Sequence, residues 1–326
     1  MRAPRNSAIR AAGATEMNAE VVCLASWNAD LVSHLARAPA RGETVLAHGF
    51  EVSPGGKGSN AAVACARQGA RVALLARIGA DDFGRMALAL WAREGVDASM
   101  VEQVEGEPTG VAQIFVFDDG DNAIAVAPGA NAGLGVRHVE AAAATLRAAR
   151  VVMASCEVPL IAIRAAFAIA RAAGVTTVLN PAPALPLPDA LMRLTDVLTP
   201  NEAELHTLAC DAVGASTVQS VDGAAQALLA RGPHAVVVTL GASGCRLYRR
   251  AAAPHAVPGR RAGDVVDTSG AGDTFSGALA AALARGEPLE TALSWANAAA
   301  ALSVTGRGAL GGMPDRAHVG RLLARA

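Results

Sequence analysis

The chain is 326 residues long, 52% of them are hydrophobic, and its formal net charge is −1. That length and apolar content suit one large α/β domain with an elaboration, whereas a near-neutral charge without a basic block argues against binding to nucleic acid. No apolar run reaches the roughly 18 residues of a membrane span, and the five cysteines lack disulfide or metal-ligand spacing, so we expect a soluble, cytoplasmic protein.

The N-terminal residues 1–17 are predicted to be a disordered extension, or to result from a start codon placed too early. They carry three arginines and no acidic residue before Glu16, but they lack the apolar segment of a signal peptide. Met17 stands shortly before the first strand-like run. We therefore assign residues 18–326 to one folded domain.

From residue 20 onward, short apolar runs alternate with amphipathic stretches. Strands are predicted at 21–26, 71–77, 151–156, 175–179, 196–199, 235–240, 244–249 and 255–257. Helices are predicted at 61–68, 83–94, 160–173, 202–209, 222–231, 271–284 and 289–304, the last two closing the fold. Strands joined by crossover helices favour an α/β fold, a mostly parallel central sheet with helices on both faces.

Two segments depart from this alternation, and we interpret both as β-excursions away from the main sheet. The first, about 29–55, has short apolar pieces broken by proline and glycine. The second, about 108–128, has two strand-like runs around the Asp119-Gly120 step, which is typical of a hairpin. A small second sheet is therefore expected.

The stretch Asp267-Thr268-Ser269-Gly270-Ala271-Gly272-Asp273 is predicted to be a tight turn that opens a helix. Its glycines let the backbone approach a ligand, and the first N–H groups of a helix form an anion site. A carboxylate at Asp273, beside a phosphate cradle, indicates phosphoryl transfer. The structural alternative is that Asp273 only caps the helix.

Two further clusters begin helices. The turn 55–60 would bring Lys57 and Asn60 to a small ligand, although it lacks P-loop spacing and also suits a plain strand-to-helix turn. Asn201 and Glu204 have the spacing of a capping box, which requires no further function.

Other candidate residues follow buried strands. Residues 27–30 follow the first strand, at the sheet edge where open α/β sheets bind ligands, and Glu157 follows a later strand. The turn 239–244 could bind a nucleotide or simply form a hairpin. An acid at the end of a strand, such as Glu157, is more often solvent-facing than ligand-bound.

Taken in order, these motifs resemble the ribokinase-type carbohydrate kinases, from about residue 21 to the C-terminus. The matching segments are Trp27-Asn28-Ala29-Asp30, residues 55–60, Pro108-Thr109-Gly110-Val111, Asn180-Pro181-Ala182-Pro183, Thr199-Pro200-Asn201-Glu202, Thr239-Leu240-Gly241 and residues 267–273. The resemblance implies the ribokinase-like fold, in which the excursions 29–55 and 108–128 form a β-sheet lid. The lid would close over the sugar and form the interface of a homodimer.

The resemblance also implies an activity: transfer of the γ-phosphoryl group of MgATP to the 5-hydroxyl of D-ribose, with Asp273 as general base. The partners would be the sugar and ATP, and the metals would be Mg²⁺ and K⁺. The alternatives are a related kinase for another sugar or a nucleoside, and a sensor of sugar or nucleotide without catalysis.

The site residues implied by the resemblance fall into four groups. The catalytic group is Asp273 with the anion-hole residues Gly270, Ala271 and Gly272. The sugar group is Asn28, Ala29, Asp30, Gly56, Lys57, Gly58, Ser59, Asn60, Glu157 and Asp273. The nucleotide group is Asn201, Glu204, Thr239, Leu240, Gly241, Ala242, Ser243, Gly244, Gly272 and Asn297. The potassium group is Asp267, Ser269, Ser303, Gly306, Gly308 and Gly312.

The sequence departs from the family pattern at two of these positions. Gly312 stands where a hydroxyl side chain is frequent, and Asn297 stands where a histidine often flanks the adenine. Potassium affinity and base selectivity are the properties that these departures affect.

Overall fold

A computed structural model describes residues 19–213 and 220–325, so the predicted extension, 1–17, lies outside the described residues. The strands are, in chain order, β1 (Val21–Leu24), β2 (Asn28–Leu35), β3 (Gly49–Gly55), β4 (Val72–Gly79), β5 (Asp97–Val104), β6 (Gly110–Phe117), β7 (Asn122–Ala127), β8 (Val151–Ser155), β9 (Thr176–Asn180), β10 (Val197–Leu198), β11 (Ala235–Thr239), β12 (Gly244–Arg249) and β13 (His255–Pro258).

The helices are α1 (Lys57–Arg67), α2 (Asp82–Arg93), α3 (Val136–Ala141), α4 (Ala143–Ala148), α5 (Leu160–Ala172), α6 (Asp189–Met192), α7 (Glu202–Val213), α8 (Val221–Ala230), α9 (Ala271–Ala284), α10 (Leu289–Ser303), α11 (Gly308–Gly311) and α12 (Arg316–Ala324). Two 3-10 turns, Gly129–Gly133 and Gly241–Ser243, follow β7 and β11.

The larger sheet has the strand order β13-β12-β11-β10-β9-β8-β1-β4-β5. Pairing is parallel from β5 across to β11, and β12 and β13 form an antiparallel edge. β1 lies between β4 and β8, so the strand order reverses there. Ligands of open α/β sheets bind beyond the carboxyl ends of the strands at such a reversal.

β1 shows why the central strands are apolar throughout. Val21 and Cys23 pack into one hydrophobic cluster, which contains α1, α9 and α10, whereas Val22 and Leu24 pack into the cluster on the other face, which contains α5 and α8. Alternate side chains of a strand point to opposite faces, so a strand covered on both faces needs an unbroken apolar run. The predicted three-layer α/β fold is confirmed.

The smaller sheet has the order β3-β2-β6-β7, with β2 and β6 parallel and the outer pairs antiparallel. Its strands fall within the two predicted excursions, except that β2 already begins at Asn28. Chain residues 25–27 alone separate β1 from β2, so the carboxyl end of β1 leads directly into the small sheet. The predicted second sheet is confirmed.

The fold differs from the sequence prediction at several places. β5 was not predicted, because at the sheet edge its burial alternates irregularly and its sequence is half polar. The helices α3 and α4 were not predicted either. The expectation that two Ala-rich helices close the fold is wrong, since α11 and α12 follow; α12 escaped notice because Val319 is its one buried residue in the described chain.

No helix in the two described ranges combines the length and the apolar character that crossing a membrane requires.

Candidate active site

The candidate site lies where the first turns of α1 and α9 meet beyond the carboxyl end of β1. The two helices pack closely because Gly277 has no side chain, and a Cβ there would lie 2.2 Å from the carbonyl oxygen of Ala61. The close packing brings Asn60 of α1 to Asp273 of α9, and the Asn60 Nδ2 donates to Asp273 Oδ2 at 2.9 Å. Two distant sequence motifs are thereby joined.

Asp273 is a buried carboxylate, 7% exposed. Burial raises its pKa to about 6, and nearby Lys57 acts in the opposite direction. Burial alone would lower the pKa of Lys57, but Asp273 and the other carboxylates around it raise that pKa overall. Lys57 and Asp273 line one small cavity together with Asn180 and Ser276. The pair therefore holds opposite charges in a largely buried environment.

Asp30 adds a second acid to the pocket from the small sheet. Burial, together with the charges of Glu157 and Asp273, raises the Asp30 pKa to about 7. The carboxylate lies across Gly55 of the paired strand, where a Cβ would stand 2.0 Å from Asp30 Oδ1. Glycine at position 55 is therefore required for Asp30 to adopt this position.

Glu157, predicted as a sugar contact, is bonded to the start of α1. Its Oε2 accepts from the Lys57 N–H at 2.8 Å and from the Ser26 hydroxyl at 2.6 Å, and Ser26 Oγ accepts from the Gly58 N–H at 3.2 Å. The Ser26 carbonyl accepts from the Ser59 N–H. All three N–H groups of the first turn of α1 are thus occupied within the protein.

Ser26 was missed by the sequence analysis, although it was visible as a polar residue at the end of the apolar β1 run. Three predicted sugar residues, in contrast, lie in the packed interior. Ala29 is fully buried, a Cβ at Gly58 would lie 2.5 Å from Ala25 Cα, and the Ser59 hydroxyl accepts from Trp91 Nε1 at 2.8 Å. Ser59 therefore contacts the core through its hydroxyl.

The first turn of α9 is less occupied than that of α1. Gly270, with a φ of 72°, precedes the helix in the left-handed region, and the Thr274 N–H donates to the Gly270 carbonyl at 2.8 Å. The Ala271 N–H donates to Thr268 at 3.3 Å, whereas in the described part of the chain the Gly272 and Asp273 N–H groups have no acceptor. This turn can therefore receive an anion.

The predicted nucleotide residues lie on the adjacent strand ends. Asn201 forms a parallel bridge with Thr239, so the start of α7 and the turn after β11 are neighbours. The turn closes through a bond from the Leu240 N–H to the Gly244 carbonyl, and Gly244 has a φ of 93°. Further along, Asn297 Nδ2 donates to the Pro258 carbonyl at 2.8 Å.

The capping box predicted at the start of α7 is present. The Glu204 N–H donates to Asn201 Oδ1 at 2.8 Å, and the Asn201 N–H donates to Glu204 Oε2 at 3.0 Å. The cap leaves Glu204 Oε1 outside these bonds. Asn201 and Glu204 therefore cap α7, and the remaining oxygen of Glu204 can still bind a ligand.

The predicted potassium residues gather in one loop region beside Gly270. Asp267 accepts from the Ser269 and Gly308 N–H groups, both at 2.8 Å, and these bonds lower its pKa although burial acts to raise it. A Cβ at Gly312 would lie 1.8 Å from the Ser303 carbonyl oxygen, which explains the glycine there. The described residues contain no group of three or more His, Cys, Asp or Glu side chains that suits a metal, so a cation here would depend on backbone carbonyls.

Asn131 is a second residue that sequence analysis missed. It lies in the turn after β7, and its side chain bonds to the backbone of Trp27 and to the side chain of Asn28. The signal was the Pro128-Gly129 step before it, which marks a turn returning from the small sheet.

Comparison with known proteins gives one consistent picture. The family model described as pfkB family carbohydrate kinase matches residues 18–316. The chain is 36% identical over 310 residues to the ribokinase of Haemophilus influenzae, covering 95% of this chain and 100% of that protein. It is 33% identical over 297 residues to the deoxyribokinase of Salmonella typhi, covering 91% and 96% respectively. The Arabidopsis thaliana ribokinase complexed with ribose and ATP superimposes with a TM-score of 0.85 at 33% identity, covering 94% of this chain and 99% of that one.

Proposed function

The chain belongs to the pfkB family of carbohydrate kinases, and from this membership we propose that it transfers the γ-phosphoryl group of ATP to the 5-hydroxyl of D-ribose. The products are ribose 5-phosphate and ADP. The observation that carries the proposal is the buried Asp273 carboxylate, held by Asn60 beside two open N–H groups of α9.

Asp273 acts as the general base in this proposal. With a pKa of about 6 it is mostly ionised at neutral pH, yet basic enough to accept a proton from the sugar hydroxyl. The hydroxyl oxygen then forms its bond to the γ-phosphorus while the bond from that phosphorus to ADP breaks. Asn60 fixes the carboxylate in place through its Nδ2.

The Gly272 and Asp273 N–H groups stabilise the phosphoryl group in transfer. Negative charge spreads over the phosphoryl oxygens at that stage, and oriented amides at a helix start meet it without reorganisation. Apart from the adjacent residues and the backbone of α9 itself, no atom of the described chain lies within 4 Å of a Cβ at Gly272, which leaves room for the phosphoryl group. Ala271, already bonded to Thr268, contributes less.

ATP would occupy the strand ends formed by the turn 239–244 and the start of α7. Mg²⁺ bound with the phosphates neutralises part of their charge, and Glu204 with Asn201 would hold its waters. This fits the exposed position of Asn201 and the oxygen of Glu204 that the cap leaves out.

A monovalent cation, K⁺, would bind at Asp267, Ser269, Ser303, Gly306, Gly308 and Gly312. The donor set of backbone carbonyls around one ionised carboxylate suits a large, weakly hydrated cation, and Asp267 borders the turn that precedes α9. A cation there would steady the anion hole. Replacing sodium with potassium at constant ionic strength should raise kcat, and equal rates in both salts would contradict the assignment.

Substrate identity is tested by a panel of sugars with coupled detection of ADP. Ribose should give a higher kcat/KM than 2-deoxyribose, fructose or a nucleoside. The similarity to a deoxyribokinase makes 2-deoxyribose the main competitor. Asp30→Ala should weaken sugar binding and turnover while the KM for ATP changes little. Ribose binding without turnover would instead indicate a sensor.

The lid, 29–55 with 108–128, would close over the sugar and join two copies of the chain. Large apolar side chains are exposed on both outer strands of the small sheet: Phe50, Val52, Ile124 and Val126. Strand pairing places Val126 opposite Ala112, and Ala112 opposite Asp30. The face of the small sheet that carries Val126 therefore borders the sugar pocket. Light scattering should find a dimer that Ile124→Asp converts to monomers.

A further inference from the structure

Asn131 is buried at the junction of the two sheets, with 2% of its surface exposed. Its Oδ1 accepts from the Trp27 N–H at 3.0 Å. Its Nδ2 donates to the Trp27 carbonyl at 2.8 Å and to Asn28 Oδ1 at 3.0 Å. The side chain thus joins the turn after β7 to the first residue of β2.

These bonds determine the direction of two side-chain amides. A peptide N–H can only donate and a peptide carbonyl can only accept, so the two Trp27 groups fix which end of the Asn131 amide is oxygen and which is nitrogen. The nitrogen of Asn131 can only donate, so the atom of Asn28 that it meets must be Oδ1. The orientation of Asn28 therefore follows from backbone groups.

We propose that Asn131 is a positioning residue that fixes the Asn28 amide so that Asn28 offers its N–H donors to the sugar. Among the described residues, Asn28 Nδ2 has no protein acceptor. Asn28 and Asp30 lie two residues apart on β2, on the same face of the small sheet. The pocket therefore presents a fixed donor beside a carboxylate acceptor. The assignment to a sugar rests on the proposed function.

The packing around the pair keeps the two amides in contact, while the Trp27 backbone fixes their direction. Gly110 begins β6 directly against them, where a Cβ would lie 2.3 Å from Asn28 Oδ1 and 2.4 Å from Asn131 Nδ2. Gly129, with a φ of 50°, turns the chain so closely that its Cβ would stand 2.3 Å from the Pro108 carbonyl oxygen. β6 and the turn after β7 thus hold the two side chains against one another.

Asn131→Asp tests the proposal with an almost isosteric change. The carboxylate still accepts from the Trp27 N–H. Its second oxygen loses the bond to the Trp27 carbonyl and faces Asn28, whose amide should rotate to donate to it. An acceptor then replaces the donor in the pocket. We expect the KM for ribose to rise roughly ten- to a hundredfold, with the KM for ATP unchanged within about twofold.

Gln68→Glu is the matched control. Gln68 is also buried, accepts from Trp295 Nε1 at 2.8 Å and donates to the Pro314 carbonyl at 2.7 Å, so the same amide-to-acid change is made away from the pocket. It should leave the ribose KM unchanged. Asn131→Ala, which frees Asn28 to adopt either orientation, should fall between the two acidic variants. Equal ribose KM values in Asn131→Asp and Gln68→Glu would overturn the proposal.

A measurement without sugar separates this inference from the proposed function. With asparagine selectively labelled with ¹⁵N, the side-chain resonance of Asn28 is assigned by its loss in Asn28→Asp. In Asn131→Asp that resonance should shift and exchange its protons more slowly, because one N–H now donates to a carboxylate. An unchanged resonance contradicts the positioning role, whatever the substrate; a shifted resonance in a protein inactive on every sugar contradicts the function alone.

Discussion

The helices α1 and α9 begin in similar glycine-rich turns, cross one another and meet at the same pocket, yet their first turns are used differently. In α1 every first-turn N–H is bonded inside the protein, to Glu157 and Ser26. In α9 the Gly272 and Asp273 N–H groups have no acceptor in the described chain. The start of α9 can therefore receive an anion from outside the chain, whereas the start of α1 is already occupied by Glu157 and Ser26.

The origin of the acid also differs between the two helices. α1 has no acidic residue in its first turn and receives the carboxylate of Glu157, which lies 100 residues further along the chain. α9 carries its own acid, Asp273, whose carboxylate bonds across to Asn60. Because Asp273 is turned to the side, its own helix start stays open. The first-turn N–H groups of α1 are therefore used to hold the protein together, whereas those of Gly272 and Asp273 in α9 are free to bind a ligand.

The largest expected effect comes from Asp273→Asn, which removes the base and keeps the shape. The Asn60 Nδ2 can still donate to an amide oxygen at position 273, so the packing of α1 on α9 should persist. We expect kcat to fall about 10²–10⁴-fold, with sugar and ATP dissociation constants nearly unchanged. Single-turnover kinetics with calorimetric binding measure both quantities. A variant with more than half of the wild-type rate would show that the carboxylate only joins α9 to α1 through Asn60.

The next largest effect tests the open N–H groups directly. Gly58 and Gly272 are the second residues of α1 and α9, but glycine stands at the two positions for different reasons. Gly58 is packed against Ala25, whereas in the described ranges a Cβ at Gly272 would have no atom within 4 Å beyond its adjacent residues and its own helix backbone. Gly272→Pro removes one donor in a first turn, where proline is tolerated, and should lower kcat about 10²–10³-fold.

Gly272→Ala is the control for that variant, since it adds a carbon atom and keeps the N–H. It should lose less activity than Gly272→Pro at equal thermal stability. Similar losses in the two variants would assign the effect to bulk and remove the argument that α9 differs from α1 by its free donors.

Sequence reasoning predicted where α9 begins but not which groups bond to the first turn of α1, for a physical reason. The turn and the acid of α9 are contiguous, from Asp267 to Asp273, so local rules for helix starts describe them. The groups that close α1 come from 32 and 100 residues away, and only the completed sheet brings them together. The same limit hid Asn131, whose role depends on the backbone of Trp27 about a hundred residues earlier.

The fold itself was predictable where burial is complete. The run Val21–Leu24 is covered on both faces, so its unbroken apolar sequence identified it. β5 lies at the sheet edge and α12 buries few side chains, so neither shows a clear periodicity of hydrophobic residues in the sequence. Gly312 is a departure from the family pattern that only coordinates explain, through the nearby Ser303 carbonyl.

A third prediction concerns pH, since the pocket holds two acids with raised pKa values. Asp273 must be ionised to act as base and Asp30 to accept from the sugar, so kcat/KM should fall as pH drops below about 7 and then about 6. Below both values the slope should approach two on a logarithmic scale. In Asp30→Asn, kcat/KM should fall in a single step near the pKa of Asp273. A pH profile identical to that of the wild type would show that ionisation of Asp30 does not affect kcat/KM.

The same acids affect stability with the opposite sign. Their folded-state pKa values lie above the unfolded value of 3.8, so the folded protein binds more protons than the unfolded chain between these values. The contribution to stability is fully present below about pH 4 and is lost as pH rises through about 6 to 7. Urea unfolding of the wild type and Asp273→Asn at pH 5 and pH 8 should therefore show the variant gaining relative stability at the higher pH.

The smallest expected effect tests whether α1 is an anion site whose anion the chain supplies. Glu157→Ala removes the acceptor of the Lys57 N–H and of the Ser26 hydroxyl, which should cost about 1–3 kcal/mol in unfolding free energy. Sulfate should then bind at the vacated helix start and recover part of that loss. Sulfate also stabilises proteins in general, so the informative quantity is the excess stabilisation of the variant over the wild type, in sulfate against chloride at equal ionic strength. Glu140→Ala, which removes an exposed acid on α3, is the control and should respond to sulfate as the wild type does. If Glu157→Ala responds no more than Glu140→Ala, α1 lacks an anion site even when emptied, and the difference between the two helices must lie in their glycine geometry instead of in the acid that fills one of them.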